Sequence, residues 1–288
     1  MKNLNVIYKF SLRLGLIAII IITSNYGFVN PTFSQSPHIA PLGTIPPAIA
    51  IPDPSPAVIP PDDIVLEMLG KVNINRALDD LKELTGEVPI CNDTGCYTIT
   101  NRLTGSEGLI WAKEYVYTEL ARLSYSMELR NWSRSGYTDQ NIIARKPGVF
   151  HPDEEIYLVA HLDGVKQSSS GQFPAADDNG SGVVDILELA RAIHTYSFYR
   201  TLVLFISTGE EQGTLGVQSY LSQLAPGELN SIKYVVNIDM VGYDANHDGV
   251  SELWHGGHSP SFDLVNWMYE IIQTYQLNLE PSFVVGCG

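Results

Sequence analysis

The stretch "RTLVLFIST" at residues 200–208 contains five consecutive apolar residues and runs directly into the polar turn "GEEQG". A short apolar run that includes β-branched and aromatic residues and ends at a turn predicts a buried β-strand. Glu210 and Glu211 are therefore expected just beyond the carboxyl end of this strand.

The segments on both sides of this strand alternate between strand and helix patterns. Further strands are predicted at residues 141–146, 155–163 and 232–240. Apolar residues at helical spacing predict helices at residues 62–86, 105–124, 182–196, 216–224 and 261–276. Strands that alternate with helices favour an α/β fold with a largely parallel sheet.

The composition excludes some classes of partner. The chain has 288 residues, of which 44% are hydrophobic and 17% charged, which is typical of a globular protein. Its formal net charge is −15. Because phosphate recognition needs basic patches, we expect no nucleic-acid partner, and anionic membrane surfaces are disfavoured for the same reason.

Residues 1–36 are typical of an export signal. Lys2, Lys9 and Arg13 precede the apolar run "LGLIAIIII" of residues 14–22, which is too short to span a bilayer comfortably. We expect a cleaved signal peptide. An uncleaved anchor is the alternative, and only that alternative would bring the protein to a membrane. The expected location is secreted, or periplasmic/extracellular.

The Pro-rich residues 37–61 are typical of a semi-extended linker, so the folded domain is expected at residues 62–288. Cys91 and Cys96, in "CNDTGC", are expected to form a disulfide that closes a small loop, as suits an exported protein. Cys287 has no obvious partner in the sequence.

Acidic and imidazole side chains lie at the ends of three of the predicted strands or just beyond them. They are His161, Asp163, Glu210, Glu211 and Asp239. A further acidic doublet, Asp177 and Asp178 in "PAADDNGSG", lies in the loop before a predicted helix. Because sites in open α/β sheets form outside the carboxyl ends of the strands, we expect these groups to meet at one edge.

Each motif also has a simpler structural interpretation. His161 alone is compatible with a polar strand end, "DDNGSG" with a turn and helix cap, and "GEEQG" with an acidic first helical turn. Taken together, however, several carboxylates would converge with few cations nearby, which is costly without a counter-charge. Imidazole combined with carboxylates suits zinc. The spacing leaves open which member of each doublet binds metal.

Four motifs, "AHLDG", "PAADDNGSG", "STGEEQGTLG" and "NIDMVGYD", resemble in order and spacing those of the secreted di-zinc aminopeptidases. These are the bacterial leucyl aminopeptidase and aminopeptidase S type, related to glutamate carboxypeptidase II and the glutaminyl cyclases. The resemblance covers the chain from about Val65 onward. It implies a three-layer α/β/α sandwich with a mixed, mostly parallel sheet and two zinc ions.

The resemblance also implies individual roles. His161 and Asp239 would bind the first zinc, Asp178 would bridge both ions, Glu211 would bind the second, Glu210 would be the general base, and Asp163 would orient His161. The expected function is an exported zinc exopeptidase, an aminopeptidase acting on peptide or protein N-termini. The alternatives are a truncated, impaired or non-catalytic family member, and a carboxypeptidase or glutaminyl cyclase-like enzyme.

The sequence departs from the family pattern at its end. The family takes a fifth zinc ligand from a histidine in an "SDH"-like motif, and this sequence reaches Gly288 without one. We therefore expect a C-terminally incomplete domain and an incomplete second zinc site. His255 and His258, in "WHGGHS", are candidate substitutes, although a polar loop is the simpler interpretation.

A second cation motif lies in "DANHDGVSE". Asp244, Asn246 and Asp248, followed by Gly249, resemble the first half of a calcium loop. His255 stands where such a loop needs its glutamate, so any calcium binding is expected to be weak, and a plain turn is the alternative.

Overall fold

The structure is a computed structural model that describes residues 61–166, 172–246, 248–257 and 259–286. The predicted export signal, all but the last residue of the linker, His258 and Cys287 lie outside these ranges. Within them, no helix combines the length and apolar character needed to cross a membrane.

The described elements follow one another in the predicted alternation. The helices are α1 Asp63–Gly70, α2 Ile74–Leu84, α3 Glu107–Arg122, α4 Gly182–Ile193, α5 Leu215–Gln223, α6 Pro226–Ser231 and α7 Ser259–Thr274. The strands are β1 Ile90–Asn92, β2 Gly95–Tyr97, β3 Ser126–Arg134, β4 Tyr137–Lys146, β5 His151–His161, β6 Arg200–Ser207, β7 Ile232–Asn237, β8 Val250–His255 and β9 Glu280–Val285. A π-helical turn, Ala176–Ser181, leads directly into α4.

The central sheet has five strands in the order β3-β4-β6-β5-β7. Strands β5, β6 and β7 are parallel, whereas β4 is antiparallel to β3 and to β6. The predicted α/β fold with a mixed sheet is confirmed. Because the three parallel strands run in the same direction, the residues that follow them share one edge of the sheet.

Helices cover both faces of this sheet and make it the middle of three layers. Along β6, Leu202, Leu204 and Ile206 face the cluster built with α2, α3 and α4, whereas Val203 and Phe205 face Tyr220 of α5. This alternation follows from the two-residue period of a strand. It explains why the run at 200–208 is apolar throughout, since both of its faces are buried.

The predicted helix at residues 62–86 is two helices, and Asn73 separates them. Its side-chain oxygen accepts the N–H groups of Asn75 and Arg76 at 3.0 and 3.3 Å, which makes it the N-cap of α2. Asn competes for backbone hydrogen bonds and so favours helix starts over helix interiors.

Several short elements carried no clear sequence signal. Strands β1 and β2 form a hairpin in which the predicted disulfide between Cys91 and Cys96 is present. Strands β8 and β9 pair in parallel as a separate two-stranded sheet, with α7 between them in the chain. The side chains of α7 pack against α1 as well as against this sheet.

A buried ionic network ties α2, α3 and α4 together. Arg191 of α4 pairs with Asp80 of α2, with Nη2 3.0 Å from Oδ1, and with Glu119 of α3 at 2.8 Å. Tyr115 of α3 donates its hydroxyl to Asp80 at 2.6 Å. The Arg191 and Asp80 side chains are only 9% and 5% exposed, so each charge depends on its partner.

Asp80→Ala should therefore lower the free energy of unfolding by about 3 kcal/mol, because it leaves the buried Arg191 guanidinium short of one carboxylate. The neighbouring Asp79→Ala is the matched control. Asp79 is 72% exposed where it pairs with Lys82, and its loss should cost under about 1 kcal/mol. Urea unfolding of both variants measures the difference, and equal losses would show that the network is not what stabilises this helix layer.

Candidate metal centre

The strand ends and the π-helical turn deliver the predicted site residues to one edge of the sheet. His161 is the last residue of β5, and Glu210 and Glu211 follow β6 within four residues. Asp239 lies two residues beyond β7, and Asp178 lies inside the π-helical turn. The parallel arrangement of β5, β6 and β7 is what makes these separate segments neighbours.

The orientation of the His161 ring is determined by a main-chain hydrogen bond. Its Nδ1 lies 3.1 Å from the carbonyl oxygen of Asp163. A carbonyl oxygen only accepts hydrogen bonds, so Nδ1 must carry a proton. In the neutral imidazole, Nε2 then has a free lone pair, as a metal ligand requires.

The Nε2 atom of His161 is buried and faces three carboxylates. It lies 3.1 Å from Asp178 Oδ1, 3.5 Å from Asp239 Oδ1 and 3.9 Å from Glu210 Oε2. It forms no well-aligned hydrogen bond with any described residue. A buried polar atom without a partner, surrounded by acidic oxygens, fits a site for a cation.

Three of these side chains form a group of suitable size for one metal ion. Ligand atoms of His161, Asp178 and Asp239 all lie within 4.8 Å of one another. One imidazole nitrogen and two carboxylate oxygens are a donor set that zinc accepts. The Asp178 and Asp239 side chains are 36% and 37% exposed, so the centre is open to solvent and to a substrate.

The local charges act on His161 in opposite directions. Burial lowers the pKa of His161, but the carboxylates of Asp178 and Asp239 outweigh it and raise this pKa to about 10. In the metal-free chain, a proton on Nε2 thus neutralises part of the carboxylate charge. A divalent cation would take over that role and displace the proton.

Asp163 supports the glutamate doublet with its carboxylate. Its oxygens accept the backbone N–H groups of Glu210 and Glu211 at 3.1 and 3.2 Å. The resemblance implied that Asp163 orients His161, and in the structure its carbonyl does so, whereas its carboxylate lies 3.8 Å from Nδ1. The predicted strand 155–163 stops at His161, so the two side chains do not continue the alternation of a strand.

The turn that carries the glutamates depends on Gly209. This residue has φ = +73°, and a Cβ on it would lie 2.5 Å from the ring of Trp132.

Beyond Gly209, Glu211 Oε1 is buried without a hydrogen-bond partner among the described residues. Burial, followed by the negative charge of Asp178, raises the pKa of Glu211 to about 7. Glu210 has a raised pKa as well, mainly through burial and partly offset by His161.

The aspartate doublet divides its work between the site and its support. Asp178 points to His161, whereas Asp177 Oδ1 accepts the Gly242 N–H at 2.8 Å. Ser181 Oγ accepts the Val241 N–H at 3.1 Å. These two bonds join the π-helical turn to the loop that begins at Asp239, so they hold the carboxylates of Asp178 and Asp239 at a defined separation.

Two residues of the same turn region complete this support. Asn179 donates from Nδ2 to the Ile238 carbonyl at 2.9 Å and accepts the Gly182 N–H at the same distance. A Cβ on Gly182 would lie 2.4 Å from both the Asn179 side chain and the Ile238 carbonyl. Asp177, Asn179 and Ser181 were not recognised as supporting residues from the sequence, because a "DDNGS" string also fits an ordinary turn.

His255, a candidate substitute ligand, is not in the group of ligand atoms at this centre, and the calcium motif was predicted as a separate site. His255 lies in β8, where Nδ1 accepts the Gly257 N–H at 3.3 Å and the ring packs edge-on against Phe262. The calcium motif forms a local turn in which Asp248 accepts from the Asn246 amide and from the Val250 N–H.

Part of the chain matches a known protein family. Residues 141–281 match Peptidase family M28. The M28 match contains all six predicted site residues, which are His161, Asp163, Asp178, Glu210, Glu211 and Asp239. The family resemblance inferred from the four motifs is thereby confirmed.

Proteins similar in sequence to this chain include one named as an aminopeptidase and one named as a leupeptin-inactivating enzyme. Aminopeptidase YwaD of Bacillus subtilis is 37% identical over 119 residues, covering 41% of this chain and 24% of the relative. Leupeptin-inactivating enzyme 1 of Streptomyces exfoliatus is 29% identical over 200 residues, covering 69% of this chain and 41% of the relative. The chain thus spans less than half the length of these relatives.

Solved structures agree on the fold. The LapA aminopeptidase of Legionella pneumophila superposes with a TM-score of 0.59 at 19% identity, covering 77% of this chain and 57% of that one. The TM-score supports the α/β/α architecture. A sequence identity this low carries no argument about substrate.

Asp239→Asn should weaken zinc binding by at least about tenfold, because an amide oxygen replaces an anionic ligand beside His161. Asp153→Asn is the matched control, because Asp153 is exposed near the other end of the strand that supplies His161. The zinc affinity of this variant should equal that of the wild type. Competition with a chromogenic chelator measures both. Equal zinc affinity in the two variants would remove Asp239 from the centre.

Proposed function

We propose that this chain is a zinc-dependent aminopeptidase that hydrolyses peptides at their amino termini. The observation that carries the proposal is the His161 ring, whose Nε2 is directed at Asp178 and Asp239 with Glu210 beside them. The family match and the relatives named aminopeptidases support it.

The proposed roles follow from position and chemistry. His161, Asp178 and Asp239 would hold the zinc ion, whose ligand atoms already converge. When bound, zinc would polarise the carbonyl of the scissile bond and lower the pKa of water at the site. Glu211, with a buried oxygen that lacks a described partner, is the residue available to a second ion.

Glu210 is the proposed general base. Its carboxylate lies 3.9 Å from His161 Nε2, next to the metal-binding atoms, and its side chain is 36% exposed, so it can reach water. The Asp163 carboxylate fixes its backbone. A carboxylate that is close to the metal ligands but outside the closest group can take the proton from an attacking water and pass it to the leaving amine.

Glu210→Gln should reduce kcat/KM for leucyl-p-nitroanilide by about 10²–10⁴-fold, because the amide cannot accept the proton. Zinc affinity should fall less than in Asp239→Asn, since Glu210 is outside the closest ligand group. Glu211→Gln is the matched comparison, because it makes the same carboxylate-to-amide change at the adjacent residue. Unchanged hydrolysis in Glu210→Gln would show that this residue is not the base. Absence of turnover in a zinc-loaded wild type would favour the non-catalytic alternative.

We further propose that the residues of this chain hold one zinc tightly. Asp178, His161 and Asp239 form a complete group, whereas the second position has Asp178 and Glu211 from the described part of the chain. Elemental analysis after dialysis should therefore find about one zinc per chain. Two tightly retained ions would contradict the proposal of a single tight site.

We also propose that the protein is exported. Separately, we propose that Asp244, Asn246 and Asp248 bind calcium weakly. The export proposal rests on the pattern of residues 1–36.

Because both Asp248 carboxylate oxygens are used within the turn at the calcium motif, calcium is not required to close this turn. A calcium-dependent rise in melting temperature that Asp248→Ala abolishes would support binding.

A further inference from the structure

Arg102 is a buried cation that is distant in sequence from the proposed zinc ligands and from the proposed base. It lies between β2 and α3, and its side chain is completely buried. Within the described ranges, it is the one lysine or arginine whose side chain is fully buried. An arginine is seldom buried unless its N–H groups are satisfied, so its contacts indicate what it is for.

The guanidinium of Arg102 donates to main-chain carbonyls from three separate segments. Nε donates to Leu162 at 2.8 Å, and Nη1 donates to Leu84 at 2.6 Å and to Pro174 at 2.8 Å. Nη2 donates to Ala175 at 2.8 Å. All four acceptors are neutral carbonyls, and the planar fork of arginine suits such divergent bonding in a way that a lysine ammonium does not.

Two of these segments are the ones that supply zinc-binding side chains. Leu162 stands between His161 and Asp163, and Ala175 stands just before the π-helical turn that contains Asp178. The Ala175 backbone has φ = +47°, an uncommon conformation for a residue with a side chain, so it needs support from its surroundings. The Arg102 main chain adds a fourth tie to this region, because its carbonyl accepts the Gly164 N–H at 3.0 Å.

The charge of Arg102 gives its role a distinctive signature. Burial lowers the pKa of Arg102 to about 10, while the negative charges of Asp163 and Asp178 partly offset this. The positive charge of Arg102 acts on the proposed zinc-binding carboxylate of Asp178 and therefore disfavours the binding of a zinc ion there. Removing only the charge should therefore tighten zinc binding, whereas removing the hydrogen-bonded support should weaken it. The two roles predict changes of opposite sign.

We propose that Arg102 is a positioning residue that holds the His161 strand end and the Asp178 turn in register, and that it thereby sets the zinc affinity of the centre. The proposal rests on the zinc site of the proposed function. The side-chain hydrogen bonds of Arg102 go to main-chain carbonyls, so it acts on the zinc ligands through the main chain of Leu162 and Ala175. The 3.1 Å approach of His161 Nε2 to Asp178 is the distance that this support maintains.

The test compares Arg102→Lys and Arg102→Met with Arg191→Met in the full chain. Arg191 is a matched control because it too is a buried-network arginine, yet it lies nine residues into α4 from Gly182, about 13 Å along the helix axis. Zinc affinity is measured by chelator competition, and the visible spectrum of the cobalt(II)-loaded chain reports ligand geometry. Urea unfolding of each metal-free chain reports stability separately.

We expect zinc affinity to fall at least about tenfold in Arg102→Lys and further in Arg102→Met, with an altered cobalt spectrum in both. Arg191→Met should unfold at lower urea but keep wild-type zinc affinity and spectrum. Arg102→Lys retains the charge, so a purely electrostatic role would leave its zinc affinity unchanged and would tighten zinc binding in Arg102→Met. That pattern would overturn the proposal.

The remaining outcomes are also decisive. A wild-type chain that binds no zinc would refute the proposed function rather than the role of Arg102. A wild type that binds zinc, with Arg102 variants that bind it equally well, would refute the positioning role alone. If both Arg102 variants fail to fold while Arg191→Met folds, Arg102 is needed for the fold as a whole, and its specific role at the metal centre is rejected.

Discussion

The hydrogen bond from His161 Nδ1 to the Asp163 carbonyl is the interaction on which the candidate centre depends. Because the acceptor has no proton to give, it fixes which ring nitrogen carries hydrogen and leaves Nε2 for the carboxylates. The Asp163 carboxylate lies 3.8 Å from Nδ1, so its negative charge acts on the ring although the carbonyl is the hydrogen-bond acceptor.

The rest of the site manages negative charge by giving acidic residues different partners. Asp178, Asp239 and Glu210 face His161 Nε2, whereas Asp163 and Asp177 turn toward backbone N–H groups. Hydrogen bonds from N–H groups stabilise a carboxylate without a counter-ion. In the aspartate doublet, Asp178 faces the candidate metal site and the neighbouring Asp177 supports the turn. In the glutamate doublet, the backbone N–H groups of both residues are held by Asp163.

The alternation of strands and helices in the sequence predicted the α/β fold, and the strand ends predicted that the polar residues gather at one edge. The three-layer architecture was implied by the family resemblance. The apolar run at 200–208 has a two-residue alternation that is invisible in the sequence because both faces are buried, yet its length and bounding turn identify a strand. Parallel strands then place His161, the glutamates and Asp239 at one edge. None of this requires knowledge of side-chain geometry.

The parts that the sequence did not predict depend on contacts between distant segments. Arg102 looks like any surface arginine in "NRLTGSEG", and only the folded chain shows that it meets carbonyls 60 to 73 residues away as well as Leu84. Asn73 breaks a helix that periodicity alone extends. The Asp163 carboxylate leaves the strand pattern because β5 ends two residues earlier. Such outcomes are decided by tertiary packing rather than by local pattern.

The most direct test of the central claim is X-ray absorption spectroscopy at the zinc edge of the metal-loaded chain. A centre built from His161, Asp178 and Asp239 predicts a first shell of nitrogen and oxygen atoms at about 2.0–2.2 Å, with scattering from a single imidazole. A shell that contains sulfur at about 2.3 Å, or scattering from two or more imidazoles, would place zinc elsewhere in the chain and contradict this account.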